Sequence, residues 1–362
     1  MGVKLQDLIH PEPVDFSKLA CRIIAIDAPN IIMGLFNFAL KTPQSESTPL
    51  ITDRTQRAIS HLYGILYRVT FYYSKKIFPI FCFDGRDSPL KRLITKDRLA
   101  DFRFTKLRYK KAMEQDDRSL AKKISLSSEY LWPNILDESR ALLGAIGVPY
   151  IDSPASAESQ CAELVKRGIA HYSNSHDLDS LLFGCPRVIQ NLSKSLKRKQ
   201  QNRWLYTKIV PREISLKKSL QSMNLSQFQL IDLALLIGSD YFKGIEGIGP
   251  KKALELIKRH HTLERVLSKE RHQYDFSSLS SERIQEVRKI FLFPEVIHHP
   301  DSLHLHWNFP NLSRLFSLLC EDHNLNRERV EKNVRELIGQ YQRCKIYFST
   351  PRKVQTSLHS YF

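Results

Sequence analysis

Four short apolar segments, each closing on an acid or a serine, constrain the fold of this chain more than any other feature. They are "CRIIAIDA" (21–28), "IFPIFCFDG" (77–85), "GVPYIDSP" (147–154) and "GIAHYSNSHDLD" (168–179). Runs of this length are typical of buried strands, and helix-like stretches such as "DESRALLGAIG" and "SAESQCAELVKRG" lie between them. The alternation predicts an α/β fold with a mainly parallel sheet.

Acids collect where these predicted strands and helices begin or end. Each one alone fits a helix N-cap or a turn residue, because an Asp oxygen accepts a free backbone N–H. In a parallel sheet, however, ligands bind outside the carboxyl ends of the strands, so acids at those ends are candidates for one site. Clustered carboxylates repel one another without cations, and hard oxygen ligands select Mg²⁺ or Mn²⁺. The six candidates are Asp27, Asp84, Glu158, Asp177, Asp179 and Asp240.

The net charge indicates a class of partner. The chain of 362 residues carries 55 Lys and Arg against 38 Asp and Glu, and the resulting charge of +17 favours a polyanion. No apolar run reaches the roughly 18 residues of a membrane span, so nucleic acid is favoured over a membrane. Two divalent ions about 4 Å apart activate a water and stabilise the leaving oxygen of a phosphodiester. An acid cluster in so basic a protein therefore points to nuclease chemistry.

The N-terminal sequence and the cysteines indicate the compartment. The opening "MGVKLQDLIH" has no apolar signal region, and Gln6 stands where a myristoylation signal needs Ser or Thr. Six cysteines are scattered without a C-x-x-C pair, which argues against a zinc site or a disulfide framework. We expect a reducing interior and no membrane association.

A glycine-rich segment, "GIEGIGPKKALELIKRH" at 244–260, resembles the hairpin of a helix–hairpin–helix element. Glycines let backbone N–H groups approach a phosphate closely, Pro250 can start the next helix, and lysines add positive charge. An ordinary glycine-rich turn is the alternative. Asp240, however, lies only four residues before the segment, which would couple duplex binding to the acid cluster. The predicted DNA contacts are Gly244, Gly247, Gly249, Lys251 and Lys252.

Three further segments complete the predicted organisation. "PRVIQNL" and "NRWLYTKIV" are interpreted as a strand pair joined by a basic stretch around Lys197, and the pattern becomes mostly helical from about residue 212. The segment "STPRKVQTSLHSYF" has too little periodic apolar content to fold alone, so we expect a flexible tail.

Taken in order, the motifs resemble the flap endonucleases among the XPG-type structure-specific 5′ nucleases. The motifs are "AIDAPN", "FDGRDSPLKR", "GVPYIDSPASAESQCA", "HDLDSLLFG", "LIGSDY" and "GIEGIGPKKA", and together they span nearly the whole chain. The resemblance implies a PIN-like α/β fold, a mainly parallel twisted sheet between helices, with a helical arch and a helix-two-turn-helix element that binds duplex DNA. It also implies that the six acids hold two Mg²⁺ ions, with Mn²⁺ as a substitute.

Two positions depart from the family pattern. Where the family has Glu-Ala-Glu, this chain reads Ser156-Ala157-Glu158, so a hydroxyl replaces the first of seven acids. Serine brings no charge, although it can hydrogen-bond a metal-bound water, and weaker metal affinity is the mildest expected effect. Met33 stands where the family often has a base-stacking Tyr.

The resemblance also implies roles for basic residues in the arch. Lys91 and Arg98, at the family's offsets from Asp84, would stabilise charge on the scissile phosphate. Basic residues continue beyond them, Arg103 and Lys106 included, and the interleaved aromatic residues suit a single-stranded flap.

The last residues match the pattern that binds the sliding clamp PCNA. An aliphatic residue lies three positions after a glutamine, and two aromatic residues follow at the sixth and seventh positions. One helical turn would present them as a hydrophobic plug beside a polar anchor. Such a pattern is not rare by chance, so the interpretation rests on the resemblance. The residues are Gln355, Leu358, Tyr361 and Phe362.

The predicted organisation has two parts. A nuclease domain covers 1–344, with an N-terminal region at 1–105, an arch at about 86–131, an internal region at about 140–225 and the helix-two-turn-helix element at about 226–262. A flexible, clamp-binding tail covers 345–362.

We predict a monomeric, Mg²⁺-dependent 5′ flap endonuclease and 5′–3′ exonuclease that acts on branched DNA with PCNA, in DNA repair and in replication, including Okazaki fragment processing. One alternative is a related 5′ exonuclease or junction nuclease. Another is a clamp-tethered flap-DNA-binding protein that is weakly active or inactive because of Ser156. A basic transcription factor would explain the charge but not the acids. The compartment would be an archaeal cytoplasm, slightly favoured, or a eukaryotic nucleus.

Overall fold

A seven-stranded sheet lies between two layers of helices in the computed structural model of this chain. Five of its strands are parallel and two are antiparallel, which confirms the predicted α/β fold with a mainly parallel sheet. The structure describes residues 3–38, 53, 59–85, 96–115, 117, 120, 124, 128–193, 196–200, 203–207, 209–298 and 305–349.

The main sheet has the strand order β1-β9-β6-β5-β2-β3-β4, and β7 and β8 form a separate pair. Strands β2 to β6 are parallel, and β9 and β1 extend one edge in antiparallel register. The bounds are β1 (Glu12–Pro13), β2 (Arg22–Asp27), β3 (Ile77–Phe83), β4 (Tyr150–Asp152), β5 (Tyr172–Asn174), β6 (Arg187–Gln190), β7 (Leu196–Gln200), β8 (Arg203–Thr207) and β9 (Arg212–Ser215).

The sheet changes its direction of growth at β2. The chain adds β3 and β4 on one side of β2 and then returns to place β5 and β6 on the other. Such a switch point leaves a crevice at the carboxyl ends of the strands, where ligands of open α/β sheets bind. Because β2 ends at Asp27 and β5 leads into Asp177 and Asp179, three of the predicted site residues flank this crevice.

Helices cover both faces of the sheet. One short π-helical stretch, Ser317–Asp322, directly follows the α-helix Leu312–Phe316. The α-helices are α1 (Phe16–Leu19), α2 (Ala28–Phe38), α3 (Ser60–Ser74), α4 (Lys96–Glu114), α5 (Ser128–Ile146), α6 (Ala157–Lys166), α7 (Asp179–Leu182), α8 (Leu216–Met223), α9 (Gln227–Ile237), α10 (Pro250–His260), α11 (Leu263–Lys269), α12 (Ser281–Leu292), α13 (Leu312–Phe316) and α14 (Arg327–Ser349).

Strand β3 shows why the helices are needed on both faces. All seven of its residues are buried, and successive side chains point to opposite faces of a strand. Ile80 and Cys82 pack into the hydrophobic cluster with α6 to α12, whereas Phe81 and Phe83 pack into the cluster with α2, α3, α5 and α14. A strand that is apolar on both sides is stable only between two covering layers, so the core lies above and below the sheet.

The predicted pairing of "PRVIQNL" with "NRWLYTKIV" is wrong. β6, from the first segment, pairs with β5 and β9 in the main sheet, whereas β8, from the second, pairs with the basic stretch itself, which forms β7. Val188 and Ile189 of β6 are buried because they point to opposite faces of the main sheet and pack into the two hydrophobic clusters that cover it. The onset of helix is also later than predicted, because 212–215 form β9 before α8 begins.

All six cysteines lie in the described residues and are free. None of the helices in the described ranges combines the length and apolar character needed to span a bilayer. The last helix, α14, runs to Ser349 and so crosses position 345, where the flexible tail was expected to begin.

Candidate active site

The six acids predicted from the sequence lie on elements that meet at the carboxyl ends of the strands, and we call this region the acid edge. Asp27 closes β2, and Asp84 follows β3 directly. Glu158 lies in the first turn of α6, and Asp179 is the first residue of α7. The remaining two are Asp177, in the loop after β5, and Asp240, in the loop after α9.

Asp84 is held at the acid edge by two interlocked loops. The Gly85 N–H donates to the Ala155 carbonyl at 2.7 Å, and the Ser153 N–H donates to the Phe83 carbonyl at 3.0 Å. A Cβ at position 85 would overlap the Ser153 carbonyl oxygen, so only glycine allows this approach. The Asp84 carboxylate then accepts the Ala157 N–H at 2.8 Å, which fixes it against the N-terminus of α6 beside Glu158.

Asp27 is both a helix cap and a buried member of the acid edge. Its Oδ1 accepts the Asn30 N–H at 3.3 Å in the first turn of α2, and its Oδ2 accepts the Ser175 hydroxyl at 2.9 Å. The side chain is 3% exposed, and burial raises its pKa to about 7, with the negative charge of Asp84 adding to the increase. The capping role does not exclude a catalytic one, because both oxygens face charged or polar neighbours.

Asp179 is the most buried acid of the group, at 1% exposure. Its Oδ1 accepts the Val3 N–H at 2.6 Å, and its Oδ2 is buried without a hydrogen-bond partner. Burial raises its pKa to about 7, and the nearby charge of Asp240 adds to the increase. A buried carboxylate oxygen with no donor is costly unless something positively charged binds it, which marks this position as a ligand site.

Asp177 interacts electrostatically with two other acids of the acid edge. Its charge raises the pKa of Asp27 and also that of Asp179, although burial is the largest cause of the increase in both. Asn30 and Ser175 hold it in place: the Asn30 amide donates to Oδ2 at 3.0 Å, and the Ser175 hydroxyl accepts the Asp177 N–H at 3.2 Å. Neither Asn30 nor Ser175 was predicted as a site residue, because a polar residue near an acid has no distinctive sequence pattern.

Ser156, at the departure from the family motif, is the N-cap of α6. Its hydroxyl accepts the Ser159 N–H at 3.1 Å, and the residue is 5% exposed. A serine N-cap stabilises a helix by satisfying one of the free N–H groups of its first turn. The hydroxyl therefore has a local structural role at a position where a carboxylate would add charge to the acid edge.

The donors of the acid edge fit a divalent cation. Among the described residues, no three His, Cys, Asp or Glu side chains form a group that would hold an ion as they stand. All the donors are carboxylate oxygens, the hard ligands that Mg²⁺ and Mn²⁺ prefer, and the unpartnered Asp179 Oδ2 is one of them. The region supplies ligands from several elements rather than a closed cage, which is the usual way Mg²⁺ is held.

Residues 244–249 of the glycine-rich segment lie in the loop between α9 and α10, as predicted, and residues 250–260 form α10 itself. Gly238, Gly244 and Gly247 have positive φ angles of 96°, 84° and 78°, and a Cβ at 238 or 244 would lie 2.6 Å from backbone atoms of the other arm of the loop. The close approach places Asp240 in a tight turn closed by the Ser239 N–H and the Phe242 carbonyl at 2.7 Å. The acid and the hairpin are thus parts of one folded unit.

The N-terminus of α10 extends this unit. Gly249 is the N-cap and Pro250 occupies the first turn, so the free N–H groups of the helix begin at the glycine loop. Lys251 is exposed. Nζ of Lys252 lies 3.5 Å from Oε2 of Glu255, with which it forms an ion pair. Backbone N–H groups and a cationic side chain at a helix start suit a phosphate.

Several residues predicted to act in the site have no described side chain. Arg98, Arg103 and Lys106 are placed on the backbone of α4, but their side chains lie outside the description. Met33 is half-buried on α2 and packs against the hydrophobic cluster that this helix shares with α3. The predicted residues that lie wholly outside the described part of the chain are Lys91, Gln355, Leu358, Tyr361 and Phe362.

The chain is similar to known proteins over nearly its whole length. The XPG I-region family matches residues 147–240, a range that contains four of the six acids. Flap endonuclease 1 of Staphylothermus marinus is 37% identical over 347 residues, covering 94% of this chain and 96% of that protein. Flap endonuclease 1 of Methanosarcina acetivorans is 34% identical over 338 residues, covering 93% of this chain and 96% of that protein.

Solved structures show the same architecture. The flap endonuclease-1 from Methanococcus jannaschii superposes with a TM-score of 0.71 at 28% identity, covering 94% of this chain and 99% of that one. The catalytic core of Rad2 in complex with DNA substrate has a TM-score of 0.65 at 23% identity, covering 93% and 100%. The second likeness concerns the fold alone.

Proposed function

We infer, from the premise that this chain belongs to the flap endonuclease family of XPG-type nucleases, that the acid edge is where it cuts DNA. The protein is a structure-specific flap endonuclease, a hydrolase of DNA phosphodiester bonds. The electrostatic interactions among the acids at the switch point of the sheet support this location best. Besides burial, the charges of Asp84 and Asp177 raise the pKa of Asp27. Besides burial, the charges of Asp240 and Asp177 raise the pKa of Asp179.

The acids of this region would hold two Mg²⁺ ions, with Mn²⁺ as a substitute. Bound there, such ions would lower the pKa of a water that attacks the phosphorus and would stabilise charge on the attacking and leaving oxygens. The protein's part is to hold carboxylates of fixed orientation at the crevice, which the capping contacts of Asp27 and Asp84 support. Burial of Asp27 and Asp179 also excludes water from their carboxylates and strengthens their attraction for a cation.

Basic residues would complete the site around the phosphate. We assign Lys91 and Arg98 to neutralising the scissile phosphate, and Arg103 and Lys106 to the single-stranded flap, on the strength of the family resemblance. Residues Gln355 to Phe362 would bind PCNA and bring the enzyme to replication and repair sites.

The hairpin between α9 and α10 would bind the duplex arm. Its glycines allow close approach of the backbone, and the start of α10 offers N–H groups and Lys251 to the phosphates. Because Asp240 belongs to the same loop, the distance from the duplex contact to the acid edge is set by one short segment. Such a fixed distance would place the cut near the junction.

One observation favours a second candidate, a flap-DNA-binding protein with weak cleavage. Ser156 is committed to capping α6, so the acid edge lacks a carboxylate at that position. The six retained acids argue for cleavage, because clustered charge is costly without a cation.

End-labelled DNA substrates of matched sequence separate these possibilities. Double-flap, single-flap, recessed-end and four-way junction DNA would be incubated with the protein and either Mg²⁺ or EDTA. We expect a Mg²⁺-dependent cut near the junction of the flap substrates. Preferred cutting of recessed ends or of four-way junctions would indicate the related nucleases, and binding without cutting would indicate the second candidate.

A further inference from the structure

Asn30 connects three parts of the acid edge. Its backbone N–H donates to Oδ1 of Asp27 at 3.3 Å, and its side-chain amide donates to Oδ2 of Asp177 at 3.0 Å. Its side-chain oxygen accepts the His176 N–H at 3.2 Å. One residue of α2 therefore contacts the end of β2 and the loop after β5, on opposite sides of the switch point.

The contact matters because of where Asp177 lies. Asp177 belongs to the loop that leads from β5 to Asp179 at the start of α7, and Ser175 of the same loop donates its hydroxyl to Oδ2 of Asp27 at 2.9 Å. This loop therefore contacts one buried acid and carries the other. Among the hydrogen bonds of the described side chains, the Asn30 amide supplies the donor to the Asp177 carboxylate, at a distance usual for an N–H···O hydrogen bond.

The two amide atoms fix the loop in orientation as well as in position. The amide nitrogen holds the carboxylate of Asp177, and the amide oxygen holds the backbone of the preceding residue, His176. Gln190 adds a support from the far side, because its amide donates to the His176 carbonyl at 3.0 Å. The loop is thus held by side chains of α2 and β6, and of these two side chains Asn30 is the one that also contacts an acid.

We propose that Asn30 is a positioning residue that orients the Asp177 carboxylate at the acid edge, where it would serve as a metal ligand. The inference rests on the proposed function. Partners of this kind orient a carboxylate ligand and raise metal affinity without touching the ion, and removing one typically costs about 10- to 100-fold in affinity or activity. Loss of the amide should therefore weaken divalent-ion binding. The affinity for duplex DNA, which the hairpin between α9 and α10 would bind, should be unchanged.

The test uses Asn30→Leu in the full-length protein. Leucine keeps the backbone N–H to Asp27 and has a similar size, but it removes the contacts to Asp177 and His176. Mn²⁺ binding would be titrated without DNA, by calorimetry, to give the number of ions and their affinities. We expect Asn30→Leu to bind at least one Mn²⁺ about tenfold more weakly than the wild type. Binding of flap DNA in EDTA is expected to be unchanged.

A matched variant separates positioning from helix stability. Gly34 lies on the same helix and is exposed, and a methyl group added there would meet no other atom within 4 Å. Gly34→Ala should therefore stabilise α2, by up to about 1 kcal/mol. Adding Gly34→Ala to Asn30→Leu should leave the Mn²⁺ affinity low. Recovery of wild-type Mn²⁺ affinity in the double variant would show that helix stability was the cause and would overturn the proposal.

The Mg²⁺ dependence of cleavage provides the second readout. In Asn30→Leu, the Mg²⁺ concentration for half-maximal cleavage should rise about tenfold, in step with the Mn²⁺ titration. If wild-type protein cuts flap DNA and Asn30→Leu binds Mn²⁺ with unchanged number and affinity, the role of Asn30 fails and the nuclease function stands. If wild-type protein binds Mn²⁺ in an Asn30-dependent way but cuts no DNA, the positioning role stands and the proposed function fails.

Discussion

The backbone N–H of Val3 lies 2.6 Å from Oδ1 of Asp179, joining two residues 176 positions apart in the chain. Val3 is fully buried, so this contact is shielded from solvent. The N-terminal segment is therefore part of the acid edge, and it supplies a donor to the acid whose other oxygen has none.

Replacing Val3 by proline should lower cleavage about 10- to 100-fold, because proline has no N–H to donate. A hydrogen bond to a charged group contributes about 1.5–3 kcal/mol, and each 1.4 kcal/mol is a factor of about ten. Val3→Ala keeps the N–H but loses side-chain packing, so it is the control for the packing lost in Val3→Pro. Cleavage rates of the two variants on one flap substrate test the prediction, and equal losses in both would refute it.

The acid edge should make the metal-free protein sensitive to pH. Asp27 and Asp179 have folded pKa values raised to about 7 by burial and by neighbouring carboxylates, above the roughly 3.9 of an unfolded Asp. The folded state then binds more protons than the unfolded state between about pH 4 and pH 7, so these groups lower stability as pH rises through that window.

Thermal unfolding in EDTA at about pH 5.5 and about pH 8 measures this effect. The double variant Asp27→Asn/Asp179→Asn should lose less stability than the wild type over this interval. Mg²⁺ should raise the Tm of the wild type more at the higher pH than at the lower, because protons compete with the ion for the same carboxylates. An identical pH dependence in wild type and variant would show that these two acids are not the titrating groups.

Ser156 offers a test of the departure from the family motif. Ser156→Glu should lower the Tm in EDTA, because it removes the N-cap, worth about 1 kcal/mol, and adds charge to the acid edge. Mg²⁺ should also raise the Tm of Ser156→Glu more than it raises the Tm of the wild type. Ser156→Ala loses the cap without gaining a carboxylate, so it controls for stability. Equal Mg²⁺ effects in the two variants would mean that a carboxylate here does not reach the ions.

A buried ion pair stabilises the helices that carry the hairpin. Arg288 of α12 donates to both oxygens of Asp232 on α9, at 2.8 and 2.9 Å, and to Glu264 on α11 at 2.7 Å. Arg288→Met should lower the free energy of unfolding by about 3–5 kcal/mol, because it leaves Asp232 buried and unpaired. Adding Asp232→Asn should recover part of the loss in urea unfolding. If Arg288→Met lowers the free energy of unfolding by less than about 1 kcal/mol, the Arg288–Asp232 pair does not stabilise these helices as a buried ion pair.

The sequence could predict the acids but not the groups that hold them. Asp27 and Asp84 follow apolar runs, and the carboxyl ends of parallel strands must share one edge, so their meeting follows from the pattern. Val3, Asn30 and Ser175 act through contacts set by tertiary packing, between positions far apart in the chain or in an ordinary polar loop.

Strand pairing was predictable only where burial determined it. β2 and β3 are largely apolar, and their parallel register follows from packing between two helical layers. β7 is rich in Lys and Arg, and nothing in its pattern distinguishes a strand from the loop that was predicted. It pairs in antiparallel register with β8, the next strand along the chain.

The variant Asp179→Asn tests most directly whether carboxylates of the acid edge hold the ions that cut DNA. The variant keeps the size of the side chain and removes its charge. Cleavage of an end-labelled double-flap DNA would be measured with Mg²⁺, beside binding of the same DNA in EDTA. We predict that cleavage near the junction is lost while binding persists. Wild-type turnover in Asp179→Asn would contradict the account and place the chemistry elsewhere.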